Sequence, residues 1–234
     1  MGTWMQIIDI GHTSVMIPLA GAIAAWLALH GHWKLVLWWC ALFGVGLALV
    51  ACSKIVFLGW GLDIPPLRFQ ALSGHAYRAT TVIPVLVFLM LRRTPRGWRR
   101  AGVALGFAAS LGLGGLLVMF GYHTISEVVA SVMLGAVAAV TFIGRADAAP
   151  AWTANRCAVP LALVALAVTG ALKPASLNPR LIDVALYLSG RDHTYRWVSS
   201  RDPNRHPGRN SFPVSKDKIM TECRVHLPQQ AHRE

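Results

Sequence analysis

Acidic residues are nearly absent from most of this chain. Of its 234 residues only 10 are Asp or Glu, against 22 Lys or Arg, and the charged fraction is 14%, where soluble domains carry about 25%. Between residues 10 and 172 the acidic side chains are limited to Asp63, Glu127 and Asp147. Such long uncharged windows exclude an ordinary soluble domain and predict a polytopic helical membrane protein.

Cysteine is also scarce, and its spacing argues against two common uses. The four cysteines form no Cys-x-x-Cys pair, so we expect neither a structural zinc site nor a disulfide framework. Basic residues are missing near the N-terminus, where the first one is Lys34. A secretory signal peptide begins with a basic segment, and we therefore expect no cleaved signal peptide.

Apolar residues make up 55% of the chain and are grouped in runs. They predict an all-α fold, a six-span helical bundle that occupies residues 1–172. The predicted spans are residues 14–29, 35–53, 75–91, 101–120, 124–143 and 157–172. Between the second and third spans, Gly59, Gly61, Pro65 and Pro66 interrupt residues 55–72, which are predicted to be a loop, partly re-entrant.

The remainder, residues 173–234, is a basic C-terminal tail. Residues 178–190 predict one short amphipathic helix that lies on the membrane. Beyond about residue 200 the tail is rich in Arg, Pro, His and Ser without an apolar period, and we expect it to be disordered.

The net charge of +12 indicates membrane topology rather than nucleic-acid binding. Five basic residues share one loop after the third predicted span, namely Arg92, Arg93, Arg96, Arg99 and Arg100. Such a loop is typically cytoplasmic and attracts anionic lipid headgroups. With six spans, the polar segments at residues 71–75 and 121–127 then both lie on the outer face, as do both termini.

The first of these polar segments contains Ser73, Gly74 and His75. If the third helix begins here, its first N–H groups have no partner within the helix and favour an anion. Gly74 would let a phosphate approach the backbone, and His75 can act as an acid or a base. The alternative is a simple Ser N-cap followed by an interfacial His.

The second polar segment contains His123 and Glu127, four residues apart and so on one face of a helix start. A carboxylate that accepts from one ring nitrogen leaves the other nitrogen available as a nucleophile. A structural pair that joins two helices and a metal site are the alternatives. Nearby cations disfavour the metal site, because they would repel a metal ion and attract an anion.

Three cations are candidate phosphate ligands. Lys54 follows the second span and faces the outer side, where it can bind a phosphate or extend to the interface. Arg78 lies three residues after His75, and Arg68 lies in the preceding loop.

Together these segments resemble the type 2 phosphatidic acid phosphatase superfamily of integral membrane lipid phosphatases. That family carries the motifs Lys-x6-Arg-Pro, Pro-Ser-Gly-His and Ser-Arg-x5-His-x3-Asp. Lys54, the Ser73-Gly74-His75 segment and the pair His123 and Glu127 match them in order. The resemblance covers roughly residues 50–143 and extends to the six-span layout.

The match is incomplete in the first and third motifs, as in a divergent bacterial branch. Gly61-Leu62 replaces Arg-Pro, Leu72 replaces the Pro before Ser73, and Leu117 replaces the Arg of the third motif. Glu127 stands where the family has Asp. Both arginines that bind phosphate in the family are therefore absent, and Arg68 and Arg78 are the candidate substitutes.

The resemblance implies a metal-independent hydrolase of phosphomonoesters or diphosphates of lipids, with no cofactor. In it, His123 would attack phosphorus and form a phosphohistidine, His75 would protonate the leaving oxygen, and Glu127 would orient His123. Lys54 and the amides of Ser73 and Gly74 would bind the phosphate oxygens. The expected location is the bacterial inner membrane, with a periplasmic active site and a lipid phosphate as the partner, not nucleic acid.

Two other functions are compatible with the same residues. The missing arginines favour a non-catalytic phosphatase-like protein that binds or transports a phospholipid or polyprenyl phosphate. A small transporter in which His123 and Glu127 relay protons is the third possibility. The sequence gives no indication of the oligomeric state or of the lipid used.

Overall fold

In the computed structural model of the chain, residues 13–149, 177–191, 193–197 and 211–215 are described. These residues form two compact units. The first contains residues up to Val50 and residues from Leu72 to Ala175, and the second contains residues 51–71 and residues from Ser176 onward. Each unit is considered by itself below.

The described part of the chain is mostly helical. Its helices are α1 (Thr13–Leu29), α2 (Trp33–Trp60), α3 (Gly74–Met90), α4 (Arg96–Met119), α5 (Ile125–Ala148) and α6 (Leu177–Ser189). The first five overlap the first five predicted spans. The sixth predicted span, residues 157–172, lies outside the described residues.

Within the part of the chain that the structure describes, three helices are long and apolar enough to cross a membrane, namely α2, α4 and α5. The helices α1 and α3 are apolar but shorter, at 17 residues each. These helices indicate a membrane protein, in agreement with the composition.

Helix α3 is the centre of the first unit. Twelve of its seventeen residues are buried, and it packs against α1, α4 and α5. The contact with α5 is close at Gly135, where a Cβ atom would lie 2.9 Å from the Tyr77 carbonyl oxygen. A residue without a side chain is therefore required at this crossing, as is common where helices pack in a membrane.

Aromatic side chains form part of this core. Trp39 stacks on Phe43 and contacts the edge of the Phe142 ring at a centroid distance of 5.1 Å. The Tyr77 hydroxyl donates to the Phe43 carbonyl at 3.0 Å, so this buried polar group is satisfied.

The second unit contains the end of α2, the loop that follows it, α6 and a two-stranded sheet. Its small core consists of Phe57, Leu58, Ala71 and Ala185. Helix α6 covers nearly the residues of the predicted amphipathic helix, and its Tyr187 is exposed.

The strands β1 (His193–Trp197) and β2 (Ser211–Ser215) pair antiparallel, with Tyr195 opposite Pro213. The prediction of disorder beyond about residue 200 therefore does not hold for Ser211–Ser215. Backbone hydrogen bonds with β1 hold this segment in an extended conformation. Pairing with a strand elsewhere in the chain requires no apolar period in the local sequence.

Three predicted boundaries also need correction. Helix α2 continues to Trp60, so Lys54 lies within it and the loop begins only at Gly61, whose positive φ of 66° ends the helix. Helix α4 begins at Arg96, which places three of the five clustered arginines in its first turns. Helix α5 extends to Ala148 and includes Arg145 and Asp147.

Candidate active site

The candidate site lies in the first unit, where α3 and α5 begin and α4 ends. Ala76 of α3, Leu117 of α4 and Val128 of α5 pack together there. The Leu117 carbonyl accepts the N–H of Tyr122 at 3.0 Å, which closes the turn before His123. Both polar segments singled out in the sequence therefore lie at the same end of this unit.

The start of α5 positions Glu127. Thr124 is the N-cap, and its side chain accepts the N–H of Glu127, while the Glu127 carboxylate accepts the N–H of Thr124 at 3.2 Å. This reciprocal arrangement is a capping box, and the spacing Thr-x-x-Glu is its sequence signature. The sequence Thr124-Ile125-Ser126-Glu127 carries this signature, and the prediction for His123 and Glu127 did not include it.

His123 is held by the same carboxylate. Its Nδ1 lies 2.8 Å from Glu127 Oε2, and the side chain of Glu127 is 1% exposed, against 13% for His123. Because an ionised carboxylate only accepts, this contact would place the proton of a neutral His123 ring on Nδ1 and leave the lone pair on Nε2. His123 directly precedes the N-cap Thr124, so this hydrogen bond is local to the start of α5.

The start of α3 positions Ser73, Gly74 and His75. Ser73 is buried and is the N-cap, since its side chain accepts the N–H of Ala76. Its own N–H donates to Ser131 Oγ at 2.7 Å. This amide is therefore occupied, whereas the amide of Gly74, the first helical residue, has no acceptor within the helix.

Arg78 brings a cation to this helix start. The side chain is 6% exposed, and helical side chains point toward the N-terminus. A Cβ atom on residue 74 would lie 3.1 Å from Arg78 Nη1. The guanidinium is therefore adjacent to the Gly74 backbone, which is the position a phosphate ligand needs.

His75 follows directly and is half-buried at the same helix start. Its neighbour Ala76 is part of the cluster that includes Val128, the residue after Glu127. Two histidines, one carboxylate and one guanidinium thus lie at the starts of two adjacent helices. Such a set can bind an anion, attack it and move a proton.

Lys54 and Arg68 belong to the second unit. Lys54 is half-buried in α2, and Arg68 is exposed after a short 3-10 turn (Pro65–Leu67), with a left-handed φ of 50°. Leu117, at the position of the missing family arginine, is 2% exposed in the apolar cluster. Among the described residues, no three His, Cys, Asp or Glu side chains come together as metal ligands.

Comparisons with known proteins give one informative match. No protein-family model matches the chain, and no solved structure matches it. It is similar to the uncharacterized 22.5 kDa protein in the cps region of Klebsiella pneumoniae, with 31% identity over 171 residues. The alignment covers 70% of this chain and 82% of that protein. The chain therefore belongs to the same family as this Klebsiella pneumoniae protein.

Proposed function

We propose that the protein is a membrane-bound lipid phosphate phosphatase of the type 2 phosphatidic acid phosphatase superfamily. The observation that carries the proposal is the hydrogen bond between His123 and the buried Glu127. It fixes the proton on Nδ1 and leaves Nε2 as a nucleophile on a partly exposed ring. A buried carboxylate in an apolar helix is costly and supports a functional role.

The first step transfers the phosphoryl group to His123. Its Nε2 forms a bond to phosphorus while the bond from phosphorus to the leaving oxygen of the lipid breaks. His75 donates a proton to that oxygen, so the lipid leaves as an alcohol or a phosphate. Glu127 stabilises the positive charge that develops on His123.

The second step releases phosphate. His75 now accepts a proton from water, whose oxygen attacks the phosphohistidine and breaks the bond between nitrogen and phosphorus. Inorganic phosphate leaves, and His123 is regenerated. In both steps Arg78 and the Gly74 amide bind the non-bridging oxygens, where charge accumulates in the transition state.

The position of the candidate site supports a lipid substrate. The reacting groups lie at the ends of apolar helices, so the tail of a lipid can remain in the bilayer while its phosphate enters the site. Phosphatidic acid, phosphatidylglycerol phosphate, a polyprenyl diphosphate and a lipid A phosphate all have this form. We place the site on the periplasmic face of a bacterial inner membrane.

Leu117 favours a second candidate function. A buried leucine replaces the arginine that the family uses to bind phosphate, and loss of a charge-assisted contact weakens transition-state binding. A protein that binds or transports a lipid phosphate without hydrolysing it would retain the rest of the site. Lipid binding without phosphate release would support this function.

The test is phosphate release from a panel of these lipids by the purified full-length chain in the presence of EDTA. We expect release by the wild type, inhibition by vanadate and no release by His123→Ala. The matched control is His30→Ala. His30 follows the last residue of α1, at the end of the first unit opposite to His123, and its ring is hydrogen-bonded to the Trp26 carbonyl. Full activity of His123→Ala would overturn the mechanism.

A further inference from the structure

A cleft of about 520 Å³ lies in the first unit at the end of α5 opposite to His123. It is formed by the turn between α1 and α2, the start of α2 and the last residues of α5. The lining residues are Gly31, His32, Trp33, Lys34, Leu35, Trp38, Arg145, Ala148 and Ala149. Since α5 has 24 residues, the cleft lies roughly 35 Å from the candidate active site.

Among the residues that line this cleft, which we call the basic cleft, two are cations and none is a carboxylate. Lys34 and Arg145 line it, and within the described residues neither forms an ion pair. The nearest carboxylate in sequence, Asp147, is bound by Arg99 at 3.0 Å. The cleft thus presents two cations to whatever occupies it.

The walls of the cleft are fixed by local contacts. The Arg145 guanidinium lies 4.1 Å from the centre of the Trp38 ring, a cation–π contact that holds its position. Arg92 donates hydrogen bonds to the carbonyls of Ala146 and Ala149 and so caps the end of α5. The Arg145 guanidinium is therefore held in place at the cleft.

The local potential is positive at His32 as well. Burial, together with the neighbouring Arg92 and His30, lowers the pKa of His32 below its ordinary value. Two of these three causes are repulsion from nearby positive groups. An anion in the cleft would relieve that repulsion.

Two tryptophans place the cleft at a membrane surface. Trp33 is 64% exposed at the start of the apolar helix α2, and Trp38 lies in the cleft one turn further. Exposed tryptophans at the ends of spanning helices occupy the headgroup level of the bilayer. We propose that the basic cleft binds the phosphate headgroup of an anionic phospholipid in the leaflet opposite the candidate active site.

The test measures lipid retention by the detergent-purified full-length chain in native mass spectrometry. The probes are dioleoylphosphatidylglycerol and the zwitterionic dioleoylphosphatidylcholine. We expect the wild type to prefer the anionic lipid, and K34Q/R145Q to bind it about tenfold more weakly. The matched control R93Q/R96Q removes the same charge from exposed residues outside the cleft and should bind within about twofold of the wild type.

Equal losses in both double variants would show diffuse attraction and overturn the proposal, as would unchanged binding by K34Q/R145Q. Displacement of the lipid by glycerol 3-phosphate would make the ligand a soluble phosphate and overturn the lipid assignment. Size-exclusion profiles check the fold of each variant. If K34Q/R145Q fails to fold, the test uses Lys34→Gln alone, because Lys34 is an exposed residue in the first turn of α2. We then expect a severalfold loss of affinity for the anionic lipid.

Discussion

The backbone N–H of Ser73 lies 2.7 Å from Ser131 Oγ and donates a hydrogen bond to it. The same hydroxyl donates to the Glu127 carbonyl at 2.6 Å. Through this one side chain the N-cap of α3 is tied to the helix turn that carries Glu127. The relative positions of the Ser73-Gly74-His75 segment and of His123 therefore depend on a serine that takes no part in the proposed chemistry.

Replacement of this serine tests its structural role. We expect Ser131→Ala to cost about 1–3 kcal/mol in the free energy of unfolding, because it leaves the buried N–H of Ser73 without its acceptor. Thermal unfolding in detergent measures the loss. Ser110→Ala is the control. The Ser110 hydroxyl donates to the carbonyls of Ala79 and Gly106, so its removal takes no acceptor away from a buried N–H group. Equal stability of Ser131→Ala and the wild type would contradict this role.

The carboxylate of Glu127 is predicted to act through its charge. Glu127→Gln keeps the size of the side chain but offers His123 a neutral amide, which no longer fixes the proton on Nδ1. We expect kcat for phosphate release to fall by about 10²–10⁴-fold with a smaller change in KM. Because Glu127 also caps α5, the melting temperature is measured in parallel. A large loss of stability with normal kcat in the folded fraction would assign Glu127 a structural role only.

Gly74 is predicted to be required for substrate binding rather than for folding. In Gly74→Ala the new methyl group would lie 3.1 Å from Arg78 Nη1 and 3.5 Å from Val50 Cγ1. The flexible guanidinium can move, but it then leaves the position beside the helix start. We expect kcat/KM to fall about tenfold, since small displacements of positioning groups lower rates strongly.

Gly115→Ala is the matched control for that substitution. Gly115 is a helical glycine of α4 with no atom within 4 Å of the added Cβ, so activity should be unchanged. A normal kcat/KM in Gly74→Ala would remove Gly74 from the proposed site.

Gly135 is predicted to be required for packing between α3 and α5. In Gly135→Ala the Cβ atom would meet the Tyr77 carbonyl oxygen at 2.9 Å and Thr80 Cβ at 3.0 Å. Backbone atoms cannot yield as a side chain can, so we expect a loss of about 1–3 kcal/mol in the free energy of unfolding. Gly144→Ala on the same helix meets no atom within 4 Å. It should be neutral or slightly stabilising in the same melting experiment.

Lys54 and Arg68 remain predicted phosphate ligands. If the resemblance to the phosphatase superfamily holds at its first motif, Lys54→Gln lowers kcat/KM for phosphate release by about tenfold or more, because a charge-assisted contact is lost. Arg68→Gln tests the candidate substitute for a missing arginine in the same assay. Normal kinetics in both variants would restrict phosphate binding to the start of α3.

Several features were determined by the sequence alone. Five apolar runs, bounded by glycine, proline or charged residues, predicted five helices whose ends differ by at most seven residues from those observed. A long apolar run in lipid must satisfy its backbone hydrogen bonds internally, and a helix does so. The spacing of four predicted a contact between His123 and Glu127, and the two side chains are hydrogen-bonded at the start of α5, where His123 precedes the N-cap. Local patterns of this kind need no knowledge of distant residues.

The tertiary structure decided the contacts between residues far apart in sequence. Ser131 is 58 residues from Ser73, and no spacing rule relates a serine in one helix to the N-cap of another. The same holds for Gly135 against Tyr77, and for the pairing of β2 with β1. These contacts depend on how helices and strands pack, and packing is set by the shapes of both partners at once. The sequence thus indicated the candidate residues and, through the order of the spans, the face that they share, whereas the packing of α3 against α4 and α5 decided which groups contact one another there.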